Sequence, residues 1–163
     1  MQFTIRDYCA ADFETLWEID QRCFPPGISY SQMELRSFLT RRNAIALVAE
    51  FDNQNRVAPT PLPSSAAAIA GFVVAHSIRH KYGRILTLDI LPQARRFGLG
   101  TRLMSACEER LQAAGCQAVY LETAVNNEPA LRLYRNLGYE ILGILPEYYA
   151  SHSLDAFEMG KRL

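Results

Sequence analysis

Two arginines and two glycines stand where an amphipathic helix is expected to begin. The segment RRFGLG places Arg95 and Arg96 shortly before Gly98 and Gly100. The first amide groups of a helix lack partners within the helix and carry a partial positive charge, so they bind anions well. Glycine lets a bulky ligand approach the backbone, and arginine adds positive charge. The pattern R-x-x-G-x-G therefore predicts a cradle for a diphosphate, although a tight turn with solvated arginines fits the same residues.

Two other phosphate-binding motifs do not fit this segment. The dinucleotide fingerprint G-x-G-x-x-G needs a third glycine where the chain has Leu103. The P-loop needs the run G-K-[ST], and no lysine follows the glycines here. The cradle is therefore not predicted to belong to either of these nucleotide-binding classes.

The elements that must position this cradle are strands and helices in a mixed order. Apolar runs predict strands at residues 2–8, 44–50, 68–76, 84–90, 118–124, 139–145 and 156–163. Helical apolar spacing, a capping box of Ser31 with Glu34 and a cap at Asn127 predict helices at residues 12–22, 31–40, 99–114 and 127–137. The order β-α-α-β-β-β-α-β-α-β-β predicts an α/β (α+β) fold, with a central twisted mixed sheet of about seven strands flanked by about four helices. A right-handed crossover is expected from strand 84–90 to strand 118–124.

The length predicts one domain spanning residues 1–163. Between two predicted strands, residues 51–67 carry three prolines and several polar residues. This composition predicts an exposed, flexible hairpin loop.

The composition argues against several classes of partner. The 17 basic and 17 acidic side chains give a formal charge of zero, which disfavours nucleic acid as a partner. The four cysteines show no paired spacing, so neither a disulfide framework nor a metal site is expected. No leader-like segment and no membrane-spanning apolar run are evident. These features predict a cytoplasmic protein that does not engage membranes.

The second half of the chain resembles the GNAT acetyltransferase superfamily. The likeness rests on LDILPQARRFGLGTRL, on LETAVNNEPALRLYRNLGYE, on a YY pair and on a terminal D-A-x-x-M, which together span residues 84–163. The nearest likeness is to the RimI-like branch, whose members acetylate protein N-termini. The resemblance implies acetyl-coenzyme A (acetyl-CoA) as cofactor.

In that family the cofactor lies in a V-shaped opening between two parallel strands, which here end at Ile90 and near Ala124. The resemblance implies that backbone groups of strand 84–90 hold the pantetheine arm and that amides from Arg96 through Thr101 hold the diphosphate. The implied cofactor-binding residues are Leu88, Asp89, Ile90, Arg95, Arg96, Phe97, Gly98, Leu99, Gly100, Thr101 and Asn127.

Acetyl transfer needs a neutral amine, an activated carbonyl and a proton for the leaving thiolate. The resemblance makes Glu122 the general base and Tyr134 the general acid, because both match catalytic positions of the branch. A phenol stays neutral near pH 7 and can donate a proton. From the residues alone, Glu122 can equally be a salt-bridged carboxylate at a strand end, and Tyr134 can belong to an aromatic stripe with Leu133 and Leu137.

Asp89 departs from the branch, where small or apolar residues are commoner at this position. Its side chain is expected to point away from those of Leu88 and Ile90. The Asp89 side chain can face the acceptor pocket, where it would bind a positively charged amine or act as a second base. Alternatively, it can be a polar group at the edge.

The resemblance implies that the acceptor is held by two groups of residues. Tyr148 and Tyr149 match a pair that hydrogen-bonds the entering peptide, and the loop with Phe24, Pro25 and Tyr30 lies where a first-residue pocket is expected. These aromatic residues are equally common in a protein core or rim. The predicted activity is transfer of an acetyl group to the N-terminal α-amine of a protein or peptide. A lysine, a small-molecule amine and a non-catalytic acyl-CoA-binding role are alternatives, and both monomer and homodimer remain open.

Overall fold

The computed structural model describes residues 1–52 and 69–163 of the chain. Its strands are β1 (Phe3–Asp7), β2 (Ala44–Phe51), β3 (Ile69–Ile78), β4 (Tyr82–Ile90), β5 (Ala118–Ala124), β6 (Glu140–Tyr149) and β7 (Leu154–Arg162). Its α-helices are α1 (Phe13–Cys23), α2 (Gln32–Thr40), α3 (Leu99–Ala113) and α4 (Glu128–Asn136). The predicted order of elements is confirmed. Of the predicted loop 51–67, Phe51 is the last residue of β2, and residues 53–67 lie outside the described residues.

The strands form one mixed sheet in the order β1-β2-β3-β4-β5-β7-β6. All neighbouring pairs are antiparallel except β4 and β5, which are parallel. The predicted mixed α/β fold is therefore confirmed. The last two strands do not follow chain order in the sheet, because β7 lies between β5 and β6. In the part of the chain that the structure describes, no helix is both long and apolar enough to cross a membrane.

Helix α3 packs on the sheet through one apolar stripe. Its fully buried side chains are those of Leu99, Leu103, Met104, Cys107 and Leu111. Burial raises the pKa of the Cys107 thiol to about 12, so the side chain is a small core hydrophobe at neutral pH.

Strand β4 contains a bulge that reverses the direction of its later side chains. The pairing with β3 shifts between Ile85 and Thr87, which leaves Leu86 as an extra residue. Before the bulge, a Cβ on Gly83 would meet Leu111 of α3 at 2.6 Å. After it, Ile90 approaches the first turn of α3. Residues 83 and 90 are an odd number apart, so they share a face only because one residue is inserted between them.

A buried polar network holds the C-terminal end of α4 against α3 and β7. The Tyr139 hydroxyl donates to Glu108 Oε1 at 2.8 Å, and Lys161 Nζ donates to Glu108 Oε2 at 2.7 Å and to the Leu137 carbonyl at 2.8 Å. Because each charge has a partner, the network fixes the helix that carries Tyr134 without leaving a buried ion unpaired.

Candidate active site

The segment before α3 presents backbone amides in a geometry that suits an anion. Arg96 and Gly98 both have left-handed backbone angles, with φ of +69° and +74°. Alternation of this kind turns successive N–H groups toward one concave point. The first hydrogen bond within α3 runs from the Arg102 N–H to the Gly98 carbonyl at 3.1 Å, so the amides of the first turn have no partner in the helix.

The two glycines of the cradle are needed for different reasons. Gly98 adopts the left-handed conformation that favours glycine, and a Cβ there would meet nothing within 4 Å. Gly100 instead lies under side chains: a Cβ there would stand 3.0 Å from Leu133 Cδ2 and 3.2 Å from Ile90 Cδ1. Gly100 therefore allows α3 to approach α4 and the end of β4, whereas the sequence predicted that both glycines make room for a ligand.

Of the two arginines, Arg95 also braces the end of β4. Its Nε donates to the Ile90 carbonyl at 2.9 Å, while the Arg96 side chain is exposed. Phe97, between the left-handed residues, is half exposed. The role of both arginines in charge at the mouth of α3 stays a prediction, and the recorded contact of Arg95 is with the end of β4.

Strands β4 and β5 separate at their carboxyl ends. Their pairing runs only from Tyr82 with Ala118 to Arg84 with Tyr120. Beyond this point, residues 87–90 stay paired with β3 on their other side. The predicted opening between the strands is therefore present, and Leu88, Asp89 and Ile90 lie along it.

Glu122 lies on β5 just beyond the point of separation. Its side chain is 17% exposed and forms an ion pair with Arg84, with 3.2 Å between Arg84 Nη2 and Glu122 Oε1. The same Arg84 nitrogen donates to the Tyr148 hydroxyl at 3.4 Å. The ion pair that the sequence allowed for Glu122 is therefore present. The other carboxylate oxygen lies outside this ion pair, and a general base would use it to accept a proton.

A second carboxylate lies beside Glu122, on the neighbouring strand β7. Glu158 of β7 is the register partner of Glu122, so the two side chains lie on the same face. The sequence predicted no role for Glu158, and only the order of the strands brings it beside Glu122.

Tyr134 is buried on α4, with 8% of its surface exposed. Burial raises the pKa of its phenol, and the nearby acidic groups of Asp89 and Tyr149 raise it further, so the hydroxyl keeps its proton at neutral pH. Its ring packs against that of Tyr139, with 5.8 Å between the centroids. Asn127 caps this helix by accepting a hydrogen bond from the Ala130 N–H at 3.4 Å.

The predicted acceptor residues fall into two groups. The rings of Tyr148 and Tyr149 meet edge to face at 5.0 Å. Burial raises the pKa of Tyr30, and the acidic groups of Tyr148, Asp89 and Tyr149 add to the increase. Burial raises the pKa of Tyr149 to about 12, with further contributions from Tyr148 and Glu122. Phe24 is half-buried and Pro25 is exposed at the start of the loop.

Asp89 is completely buried and faces α1. As predicted, its side chain points away from that of Ile90, which faces α3. Its partner is Asp20 of α1, for which the sequence patterns predicted no role. A signal was available, because Asp20 follows the core residue Leu16 by four positions and so lies on the buried face of the helix.

Comparisons with known proteins agree with this geometry. The family model "Acetyltransferase (GNAT) family" matches residues 13–139. The N-alpha-acetyltransferase of Sulfurisphaera tokodaii is 37% identical over 84 residues, which cover 51% of this chain and 50% of that protein. The chain thus matches about half the length of this curated relative.

Two solved structures share the fold over nearly their whole length. Ard1 from Thermoplasma volcanium superposes with a TM-score of 0.82 at 25% identity, covering 100% of this chain and 99% of that one. Arabidopsis thaliana NAA60 in complex with acetyl-CoA superposes with a TM-score of 0.81 at 20% identity, covering 99% of each chain. With its matching family model, separated strands and helix-mouth cradle, the chain belongs to the acetyltransferase (GNAT) family.

Proposed function

We propose that this protein transfers an acetyl group from acetyl-CoA to the N-terminal α-amine of a protein or peptide. The observation that carries the proposal is the separation of β4 and β5, with Glu122 just past the last paired residue. An acyl donor placed in the opening would lie beside this carboxylate. The name of the Sulfurisphaera tokodaii relative supports the α-amine as the acceptor.

The residues that are present fit acetyl-CoA. Gly98 leaves open space above left-handed backbone, and the first amides of α3 are free to receive phosphate oxygens. Backbone groups of residues 88–90 that point away from β3 face the opening between the strands and can hold the pantetheine arm. When bound, acetyl-CoA supplies the acetyl group as an activated thioester.

Two side chains of this chain move the protons. Glu122 accepts a proton from the acceptor amine, whose ordinary pKa is about 8, so that the nitrogen can act as a nucleophile. The Tyr134 hydroxyl holds a proton for the sulfur that leaves. Arg84 orients Glu122 through its ion pair, and the cap at Asn127 together with the Tyr139–Glu108–Lys161 network fixes the helix of Tyr134.

The tyrosines of the acceptor groove favour the extended end of a peptide as the acceptor. Tyr148 is 42% exposed, and its ring meets that of Tyr149 edge to face at 5.0 Å. Phenol hydroxyls at the rim of a groove suit hydrogen bonds to a peptide backbone. These contacts recognise the main chain of an acceptor and so favour a peptide over a small amine.

Mass spectrometry after incubation with acetyl-CoA tests the proposed function. The acceptors are a peptide library with free N-termini, the same peptides with blocked N-termini and internal lysines, and a panel of small amines. Acetylation of free N-termini alone is expected. Acetylation of lysines or small amines instead would show that these are the acceptors and that the α-amine is not. Cofactor binding without coenzyme A release would indicate an acyl-CoA-binding role without catalysis.

A bulky side chain at Gly100 is expected to weaken cofactor binding. Gly100→Val places methyl groups against Leu133 and Ile90, whose side chains would stand only 3.0 Å and 3.2 Å from a Cβ at this position, so the first turn of α3 must shift. We expect at least about a tenfold loss of affinity, which corresponds to about 1.4 kcal/mol, measured by calorimetry with acetyl-CoA. Gly143→Ala is the control, because a Cβ at Gly143 meets nothing within 4 Å. Unchanged affinity in Gly100→Val would show that the cofactor does not use the mouth of α3.

A further inference from the structure

A pair of buried carboxyl groups connects α1 to β4. Asp20 of α1 and Asp89 of β4 are both fully buried and their carboxyl groups face each other, close to where Cys23 Sγ of α1 donates to the Ile90 carbonyl at 3.4 Å. Asp20 Oδ1 and Asp89 Oδ2 receive no hydrogen bond from a donor group of the described residues. Two ionised carboxylates have no proton to place between them and repel each other. One shared proton gives both of these oxygens a partner.

The other oxygens of the pair extend this contact in both directions. The Thr87 hydroxyl donates to Asp89 Oδ1, and the Tyr30 N–H donates to Asp20 Oδ2 at 2.7 Å. With this proton in place, a line of hydrogen bonds would run from Thr87 on β4, through both carboxyls, to Tyr30 in the loop between α1 and α2. This loop contains residues 24–30, the predicted acceptor loop.

Tyr30 is attached to its surroundings at two further points. Its hydroxyl donates to the carbonyl of Leu86, the bulged residue of β4, at 3.1 Å. Its own carbonyl accepts from Trp17 Nε1 at 3.1 Å and from Gln21 Nε2 at 2.8 Å. Tyr30 is therefore one anchor of the loop over β4, beside the contact of His152 Nε2 with the Pro26 carbonyl at 2.8 Å, and the Tyr30 amide is held by Asp20.

We propose that Asp20 and Asp89 share one proton and that this hydrogen bond holds the acceptor loop on strand β4, which makes both residues positioning residues for the acceptor. The role in acceptor binding rests on the proposed acetyltransferase function. The shared proton and its effect on the loop do not.

The surroundings of the pair favour retention of this proton. Burial raises the pKa of Asp89 well above its ordinary value, and the charge of Asp20 adds to the effect. The pKa of Asp20 is raised by burial as well. The other titratable groups near the pair are the Tyr30 phenol, Cys23 of α1, Glu34 of α2, Tyr134 of α4, and Arg95, whose positive charge opposes the increase.

Loss of the shared proton at alkaline pH is expected to loosen the acceptor loop. The pair would then carry two negative charges, and their repulsion would separate Asp20 from β4. Trp17 is the only tryptophan of the chain and contacts Tyr30, so its fluorescence reports on the loop without any substrate. We expect a fluorescence transition on raising the pH in the wild type. Asp89→Asn should lack it, because the amide N–H₂ donates to Asp20 and does not titrate.

The comparison between variants controls for other titrations. All eight tyrosines are present in both proteins, so quenching by ionised tyrosine is common to them and the difference reports on the pair. Asp20→Asn is a second isosteric variant that should also lack the transition. Identical fluorescence profiles for the wild type and both variants would overturn the proposal, whatever the chain acetylates.

Peptide kinetics test the consequence for the acceptor. Asp89→Ala removes the hydrogen bond, whereas Asp89→Asn keeps one, so the peptide KM of Asp89→Ala should exceed that of Asp89→Asn about tenfold, with a smaller change in kcat. The wild-type peptide KM divided by the peptide KM of Asp89→Asn should rise with pH. Equal KM values in the two variants would overturn the role in acceptor positioning. If Asp89→Ala does not fold, the pH-dependent ratio decides alone.

Thermal stability gives a third measurement with a defined sign. Since the pKa of Asp89 is raised in the folded state, the folded chain binds more protons than the unfolded chain above about pH 4, the ordinary range of an aspartate. The contribution of Asp89 to the stability of the wild type therefore falls as the pH rises, until the raised pKa is passed. The Tm of Asp89→Asn relative to that of the wild type should increase between pH 5 and pH 8, and a decrease would contradict the shared proton.

Discussion

Replacing Tyr134 with phenylalanine is expected to lower kcat for peptide acetylation about 100-fold. A positioned general acid contributes about 10²–10⁴-fold to a rate, and Tyr134 is the acid of the proposed reaction. Its burial and raised pKa keep the hydroxyl protonated, and no described residue accepts a hydrogen bond from it. The change removes one oxygen and leaves the ring packed against Tyr139. Steady-state kinetics at saturating acetyl-CoA measure the effect.

Tyr82→Phe is the matched control for this variant. Tyr82 begins β4, is 38% exposed and lies away from the proposed acid and base, so the control should keep the wild-type rate. A rise in peptide KM with unchanged kcat in Tyr134→Phe would indicate that the hydroxyl binds the acceptor and does not donate a proton in the reaction.

Replacing Glu122 with glutamine is expected to lower kcat/KM about 100-fold near neutral pH. Glutamine has nearly the same shape as glutamate but cannot accept a proton from the acceptor amine. Glu122→Gln also leaves Arg84 without its ion-pair partner, so the thermal stability of the variant is measured beside its rate. A loss of rate without a matching loss of folded protein identifies the carboxylate as part of the chemistry.

Two other glutamates separate the explanations for a loss of activity. Glu158→Gln changes the carboxylate directly across from Glu122, and Glu140→Gln changes an exposed residue at the start of β6. We expect Glu140→Gln to retain full activity. If Glu158→Gln loses far more activity than Glu122→Gln, the general base is on β7 and the assignment of Glu122 is wrong.

Local signals were sufficient to predict most elements. The capping box of Ser31 with Glu34 is recognisable in the sequence and is present in the structure, with the Glu34 N–H bonded to Ser31 Oγ at 3.2 Å. Asn127 likewise caps α4 as predicted. Caps and apolar periodicity depend on residues within a few positions of each other, so a single sequence contains the information they require.

Contacts between distant segments were harder to predict. The sequence pattern assigns Gly100 to the ligand, yet its space is taken by Leu133 and Ile90. The ion pair of Arg84 with Glu122 joins residues 38 positions apart on two parallel strands. The resemblance assigns the catalytic roles of Glu122 and Tyr134, and the geometry is compatible with them. The kinetics of the two variants test these roles.

The sequence by itself determined the elements, their order and the glycine-containing turn before α3, because these depend on short-range patterning and backbone preference. The tertiary structure alone decided which carboxylates meet. Asp89 faces Asp20 because the bulge at Leu86 reverses the side-chain alternation of β4, and Glu158 stands beside Glu122 because β7 lies between β5 and β6. A one-residue shift or an exchange of strands changes every neighbour on a face, and neither depends on residues that are close in the chain.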